Sequence, residues 1–159
     1  MDDGSNDSTG ELISSMSRTS PFNIVYLAQA NTGKALAVNR GVKEANGEFT
    51  VIVDSDDELT ADALSALWDA WVSINPEDRP SFAAVLGNSI TPEGKIVGAE
   101  FPNAPVDGFH FELFASGTMR GDKLPCYITR YLQRYPYPDL QSGGGTPRPV
   151  LCGSQSGCD

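Results

Sequence analysis

The stretch Phe49-Thr50-Val51-Ile52-Val53-Asp54-Ser55-Asp56-Asp57 decides the fold. A run of β-branched and apolar residues ends in a cluster of acids. Apolar residues on both faces predict a buried strand of a parallel sheet, covered on each side. The acids then fall at the strand's carboxyl end, where open α/β sheets bind ligands. Three carboxylates within four residues repel one another, and a divalent cation is the simplest counter-charge. An ordinary solvated turn can read the same way, so the surrounding sequence has to decide.

Upstream, Asn31-Thr32-Gly33-Lys34 opens a helix whose apolar positions Ala35, Val38, Val42 and Ala45 keep helical spacing, with Gly41 allowing close packing. Asn46-Gly47 is predicted to stop it, the glycine taking the left-handed position. Further back, Ser8-Thr9-Gly10-Glu11 reads as a capping box before a short helix with Leu12, Ile13 and Met16 on its apolar side. Residues 23–27 are a second strand candidate.

Downstream, Thr60 is expected to cap a helix, with Asp62 in its first turn. Leu64, Leu67, Trp68 and Trp71 share one face of it. That spacing favours core packing over a sugar-stacking platform. Asn75-Pro76 ends the helix. Residues 82–86 read as a strand, and 88–97 as a β-hairpin with Pro92-Glu93-Gly94 at its tip. Phe109, Phe111, Leu113 and Phe114 are core candidates. Gly121-Asp122-Lys123 is a turn, and 127–135 a helix ended by Pro136. Helix–strand alternation with short connections defines an α/β fold with a mainly parallel sheet flanked by helices. One domain covers 1–139. The Gly-, Ser- and Pro-rich segment 140–159 is expected to be disordered or loosely packed.

The chain's 159 residues suit a single domain with a sizeable core. A formal net charge of −10 argues against nucleic acid as a partner, since phosphate backbones demand clustered Lys and Arg. A small phosphate ligand remains compatible, because a metal ion can supply the positive charge. The lone histidine, His110, lies between two phenylalanines and argues against a His-rich zinc site or a Ser-His-Asp triad. Cys126, Cys152 and Cys158 are odd in number and lack CxxC spacing, which reads as free thiols in a reducing compartment. No apolar run reaches membrane-spanning length, and the acidic start does not read as a signal peptide. A calcium loop beginning at Asp54 would need Gly where Leu59 stands and Glu where Ser65 stands, which excludes it.

Three blocks stand in order: Asp2-Asp3-Gly4-Ser5-Asn6-Asp7-Ser8-Thr9, then Asn31-Thr32-Gly33-Lys34 through Asn39-Arg40-Gly41 to Ala45-Asn46-Gly47, then Val53-Asp54-Ser55-Asp56-Asp57. Together they resemble the family-2 inverting glycosyltransferases of the GT-A fold, over roughly residues 2–74. Met119-Arg120-Gly121-Asp122-Lys123 resembles one bacterial branch of that family. The resemblance implies transfer of a sugar from a nucleotide-sugar donor to a hydroxyl acceptor, a glycan or lipid-linked glycan, with inversion and with Mg²⁺ or Mn²⁺. It implies Asp56 as the metal ligand and Asp54 facing the ribose or the metal's water shell. Asp57 could serve the site or cap the next turn. Asp3 would accept hydrogen bonds from the base or ribose, with Gly4 and Ser5 letting the backbone approach the nucleotide. Lys34 would meet anions at the helix start, or be an exposed first-turn lysine. Asn39 would tie the helix to the nucleotide loop. Relatives build polysaccharides, lipid-linked glycans and cell-wall polymers, which implies the cytoplasm or the inner face of the membrane.

Two departures qualify the resemblance. The family carries a strand–helix–strand unit before its Asp-Asp-Gly-Ser, whereas Met1 directly precedes Asp2 here. The expectation is a domain lacking its first strands, with open sheet edges and a poorly fixed Asp3. Inverting transfer also needs a base for the acceptor hydroxyl, and the family's downstream Glu-Asp pair is absent. Asp122 and Asp139 are the candidate bases. The alternative is a non-catalytic module that pairs through open edges as a homodimer.

Overall fold

The structure, a computed structural model, describes residues 1–101, 107–108 and 110–139, without the side chains of residues 110, 111 and 114. The core roles expected of Phe109, Phe111 and Phe114, the reading of His110, Cys152 and Cys158, and the tail 140–159 lie outside the described residues. The chain forms two compact units, Met1–Arg40 with the segment from Pro136, and Gly41–Tyr135.

The second unit is built on three strands, β1 Phe49–Val51, β2 Ala84–Asn88 and β3 Lys123–Ile128, in the order β1-β3-β2. Both outer strands run antiparallel to β3, with Val51 opposite Cys126 and Leu86 opposite Pro125. The described sheet is therefore antiparallel, which corrects the mainly parallel sheet expected from the sequence. The cause is β3. β1 and β2 do point the same way, joined through helix α3 Ala63–Ser73, but β3 occupies the slot between them.

Pro125 hid this strand, because a residue without an N–H argues against a sheet interior. Residues 127–135 were accordingly expected to be one helix; only Thr129–Arg134 is helical, directly after β3. The geometry accommodates the proline. The β1 ladder stops at the Val51–Cys126 pair, so beyond it only β2 faces β3. β1 is an edge strand, half-buried along its length rather than covered on both faces.

α3 packs Leu67 and Trp71 inward. The Phe49 ring meets Trp71 edge-on at 5.2 Å and Trp68 at 6.1 Å between centroids. Trp71 is only 7% exposed, whereas Trp68 is 53% exposed, so one of the two expected core tryptophans is in the core. An apolar cavity of about 230 Å³ remains beside Phe49, Leu64 and Cys126. The helix begins after a turn closed by the Ala63 amide donating to the Thr60 carbonyl at 3.1 Å, so Thr60 is not the cap. Its far end has no basic residue in the last turn. Arg79 supplies one from outside: Nε donates to the Ile74 carbonyl and Nη2 to the Val72 carbonyl, both at 3.1 Å. The same guanidinium lies 5.5 Å from the Trp71 ring centre. One side chain thus satisfies orphan carbonyls, favours the negative end of the helix and covers the core indole.

The expected hairpin is present as a tight turn with one bridge, Ile90 to Ile96. Just beyond it, Gly98 and Gly121 cross backbone against backbone. A Cβ on Gly98 would fall 2.2 Å from the Arg120 carbonyl oxygen, and one on Gly121 2.5 Å from that of Val97. Both glycines have positive φ. The Ala99 amide donates to Arg120 at 2.8 Å and Lys123 Nζ to the Ala99 carbonyl at 2.7 Å, fastening this crossing to the start of β3.

In the first unit, helix α1 spans Thr9–Ser17. Ser8 holds the N-cap position without a side-chain bond, so the capping box does not form; Asp7 Oδ1 accepts from the Thr9 amide at 3.0 Å instead. The apolar side expected of α1 is open, with Leu12 and Met16 exposed. Residues 23–27 form no ladder. One parallel bridge joins Asp2 to Ala28, flanked by Asp2 N–H to Leu27 at 2.8 Å and Gln29 N–H to Asp2 at 3.0 Å.

Helix α2, Lys34–Glu44, starts in this unit and has its last residues in the other. Its end is closed by side-chain amides: Asn46 on Glu44 at 3.1 Å, and Gln133 on Val42 at 3.1 Å and Ala45 at 3.2 Å. Gly47 does not adopt the left-handed conformation expected of it. Among the described residues no helix is long and apolar enough to cross a membrane.

Trp71→Ala is expected to lower stability by about 3 kcal/mol or more, and Trp68→Ala by clearly less, in urea denaturation followed by far-ultraviolet circular dichroism. Gly98→Ala and Gly121→Ala should each cost about 2 kcal/mol or more in the same assay, because the obstructing atoms are backbone on both sides.

Candidate functional site

In the second unit, the acids follow β1 on an exposed turn, with the Asp57 amide donating to the Asp54 carbonyl at 3.1 Å. Because β3 is antiparallel, its first residue, Lys123, lies opposite Asn88, the last of β2. Asp122, just before it, therefore stands at the end of the sheet where β1 and β2 finish. The topology thus brings one candidate base to the same sheet end as Asp54, Asp56 and Asp57. At that end the Asn88 Oδ1 is buried with no partner among the described residues.

No group of three His, Cys, Asp or Glu side chains converges among the described residues. The acidic turn is not a prebuilt cage. It does suit Mg²⁺ or Mn²⁺ shared with a substrate, since such ions take one or two protein carboxylates and complete their shell with phosphate and water. The apolar cavity beside Phe49 lacks the convergent polar groups of a ligand site, and burial there pushes the Cys126 thiol up from its ordinary range.

The first unit holds the other set of expected residues, and there the protein uses them itself. Asp2 is buried; its Oδ1 accepts from the Ser5 amide at 2.7 Å, and its Oδ2 from the Tyr26 hydroxyl in a very short bond. Asp3 Oδ1 accepts from Gln29 Nε2 at 2.7 Å, the Thr32 amide at 2.9 Å and the Thr32 hydroxyl at 3.2 Å. Asp3 Oδ2 accepts from the Gly33 amide at 2.7 Å. Asp3 is therefore firmly held, not poorly fixed. Gly4 has φ +96°, and a Cβ there would lie 2.8 Å from the Asn31 nitrogen, so its missing side chain makes room for the chain's own backbone.

These bonds set the electrostatics. The Tyr26 hydroxyl first, then Ser5, hold the Asp2 carboxyl at about 2. Gln29 first, then Thr32, lower that of Asp3. Asp2 in turn raises the Tyr26 phenol. Hydrogen bonds that favour the charged form do this without a neighbouring cation.

Lys34, the first residue of α2, and Asp139 line one cavity of about 170 Å³ with Thr32, Gly33 and Pro138. Asn39 is structural, as expected, but its partner is different: Nδ2 donates to the Tyr137 carbonyl at 2.8 Å and Oδ1 accepts from the Tyr137 amide at 2.9 Å. The link from α2 to the loop at 2–5 runs instead through Arg40 Nη1, which donates to the Ala28 carbonyl at 2.8 Å and to Gln29 Oε1 at 3.2 Å. Tyr26, Gln29 and Arg40 were missed by the sequence reading. Only Arg40 carried a signal, its place in the Asn39-Arg40-Gly41 block.

The match points to the class of the sugar transferases: residues 1–78, just under half of the chain, match the family described as Glycosyl transferase family 2. Poly-beta-1,6-N-acetyl-D-glucosamine synthase of Staphylococcus aureus strain COL is 35% identical over 88 residues, 55% of this chain and 20% of the relative. The synthase of the same name from Staphylococcus epidermidis is 33% identical over 88 residues, with the same coverage. The chain thus spans about a fifth of the length of these relatives. No solved structure matches. The family implies an α/β fold of the GT-A kind, and the described elements are α/β with their sheet antiparallel.

Because Asp2 titrates lower in the folded chain than its ordinary value of 3.8, its contribution to stability is present above about pH 4 and lost as pH falls towards 2. The melting-temperature gap between the protein and Asp2→Asn should narrow from pH 5 to pH 2. Tyr26→Phe should shift the narrowing towards higher pH.

Proposed function

We propose that this chain supplies the donor side of a metal-assisted glycosyl transfer, in which a sugar passes with inversion from a nucleoside diphosphate to a hydroxyl acceptor. One observation carries the reading: the acidic turn stands at the carboxyl end of β1, inside the residues that match the family. Departure of the sugar leaves a diphosphate whose growing charge must be stabilised. Mg²⁺ or Mn²⁺ supplies Lewis-acid stabilisation of that charge. Asp56 would hold the ion, and Asp54 would face the ribose or the ion's water shell. Lys34, at the first turn of α2, would meet anionic groups of the donor. The loop carrying Asp3, Gly4 and Ser5 would shape the nucleoside end.

Asp122 is the preferred base for the acceptor hydroxyl, because the sheet delivers it to the same end as the acidic turn. Asp139, beside Lys34, is the other candidate. The names of the relatives make an N-acetylglucosamine polymer the first acceptor to try. The place of action would be the cytoplasm or the inner face of the membrane. A second reading, self-association through the open edge of β1, has the strand order in its favour.

Melting in the presence of Mn²⁺, uridine diphosphate, or both separates the two readings. The donor site predicts a rise that needs both ligands, reaching about 2.7 kcal/mol of stabilisation at a hundredfold excess over Kd. It should vanish in Asp56→Ala and persist in Asp122→Asn. A melting temperature that follows protein concentration alone overturns the donor site in favour of self-association.

A further inference from the structure

We propose that Pro136-Tyr137-Pro138-Asp139 is a strap over the cavity at the start of α2, latched shut by Asn39 and opening to admit the anionic end of the donor. What enters rests on the reading of a donor site. The strap itself stands on contacts within the first unit.

The latch has two points. Asn39 lies within α2, and its carboxamide takes both backbone groups of Tyr137, 98 residues away. Nδ2 donates to the carbonyl at 2.8 Å and Oδ1 accepts from the amide at 2.9 Å. Of residues 136–138 only Tyr137 has an N–H, because its neighbours are prolines. Asn39 therefore takes the one backbone donor that this stretch offers. The prolines also stiffen the stretch: each fixes its own φ, and each turns the residue before it away from helical backbone. A stiff arm fastened at one residue moves as a unit when that residue is released. Both bonds lie at the surface, where water competes for the same groups. Such a latch favours the closed strap by about tenfold.

Beyond the latch, Pro138 and Asp139 wall the cavity of about 170 Å³ whose other side is residues 32–36, Lys34 among them. The strap thus brings the chain's own acid to the lysine and to the amide end of α2, the features that draw an anion. Closed, it sets a negative charge where a phosphate would approach. Open, it leaves that approach clear.

Binding of inorganic pyrophosphate to the whole chain, without metal, followed by titration calorimetry, tests the gate. Asn39→Ala removes both bonds and keeps a good helix former within α2. Pyrophosphate should then bind about tenfold more tightly, since apparent affinity scales with the open fraction. Asp139→Asn keeps the latch and removes the charge. It should gain about threefold, the size of an exposed charge interaction, and the gain should fade in about 1 M salt. Amide hydrogen exchange reports the strap directly: the Tyr137 N–H should exchange about tenfold faster in Asn39→Ala than in the parent.

The gate is overturned if Asn39→Ala binds pyrophosphate no more tightly than the parent, if Asp139→Asn fails to gain, or if none of the three binds it. It is equally overturned if the Tyr137 amide exchanges as fast in the parent as in Asn39→Ala. The donor site stands or falls separately, on the response to Mn²⁺ with uridine diphosphate that Asp56→Ala should abolish.

Discussion

Hydrogen bonds to two neighbouring carboxylates hold the amino-terminal unit in shape. Asp2 and Asp3 accept from backbone amides, hydroxyls and one side-chain amide, all of them neutral donors. Such charge-assisted bonds are short and directional, and those from Ser5, Thr32 and Gly33 amides each fix a particular atom of the backbone. That matters here because apolar burial is thin in this unit. Ala37 is its one buried hydrophobic residue among those described, and Leu12 and Met16 of α1 face outward. Order in residues 1–40 is therefore specified by polar geometry.

The other unit works the opposite way. Its core is Val42, Leu67, Trp71, Cys126 and Ile128, with the Phe49 ring set edge-on against Trp71. Burial of large rings is non-directional, and fixed backbone crossings add the precision it lacks. The antiparallel β3 carries Asp122 to the end of the sheet where the acidic turn lies. A parallel strand in that slot would have carried it to the opposite end. The direction of one strand thus governs which acids can share a task.

Much of this was legible in the residues. Helical spacing found α2 and α3, the β-branched run found β1, and the acidic turn stands where a strand end should put it. What escaped reading has physical causes. Pro125 masked β3 because its tolerance depends on β1 stopping one residue earlier, a fact of register. Trp68 and Trp71 share a helical face and both meet Phe49, yet one is buried, with Arg79 over its ring, and the other half-exposed, a difference spacing does not show. The donors that fix Asp3 lie 26 to 30 residues away, beyond any local pattern. Caps were misplaced by a residue or two, since Asp7 and Asn46 compete with Ser8 and Gly47 through side chains whose reach spacing does not show.

The hairpin after β2 has one end locked and the other at liberty. Where Gly98 meets Gly121, the chain tolerates no added atom. At the tip, none of the described residues lies within 4 Å of where a Gly94 Cβ would sit. The tip is thus the natural graft point of this unit. Extra residues, an epitope or a fluorophore inserted at 92–94 would ride outside the sheet.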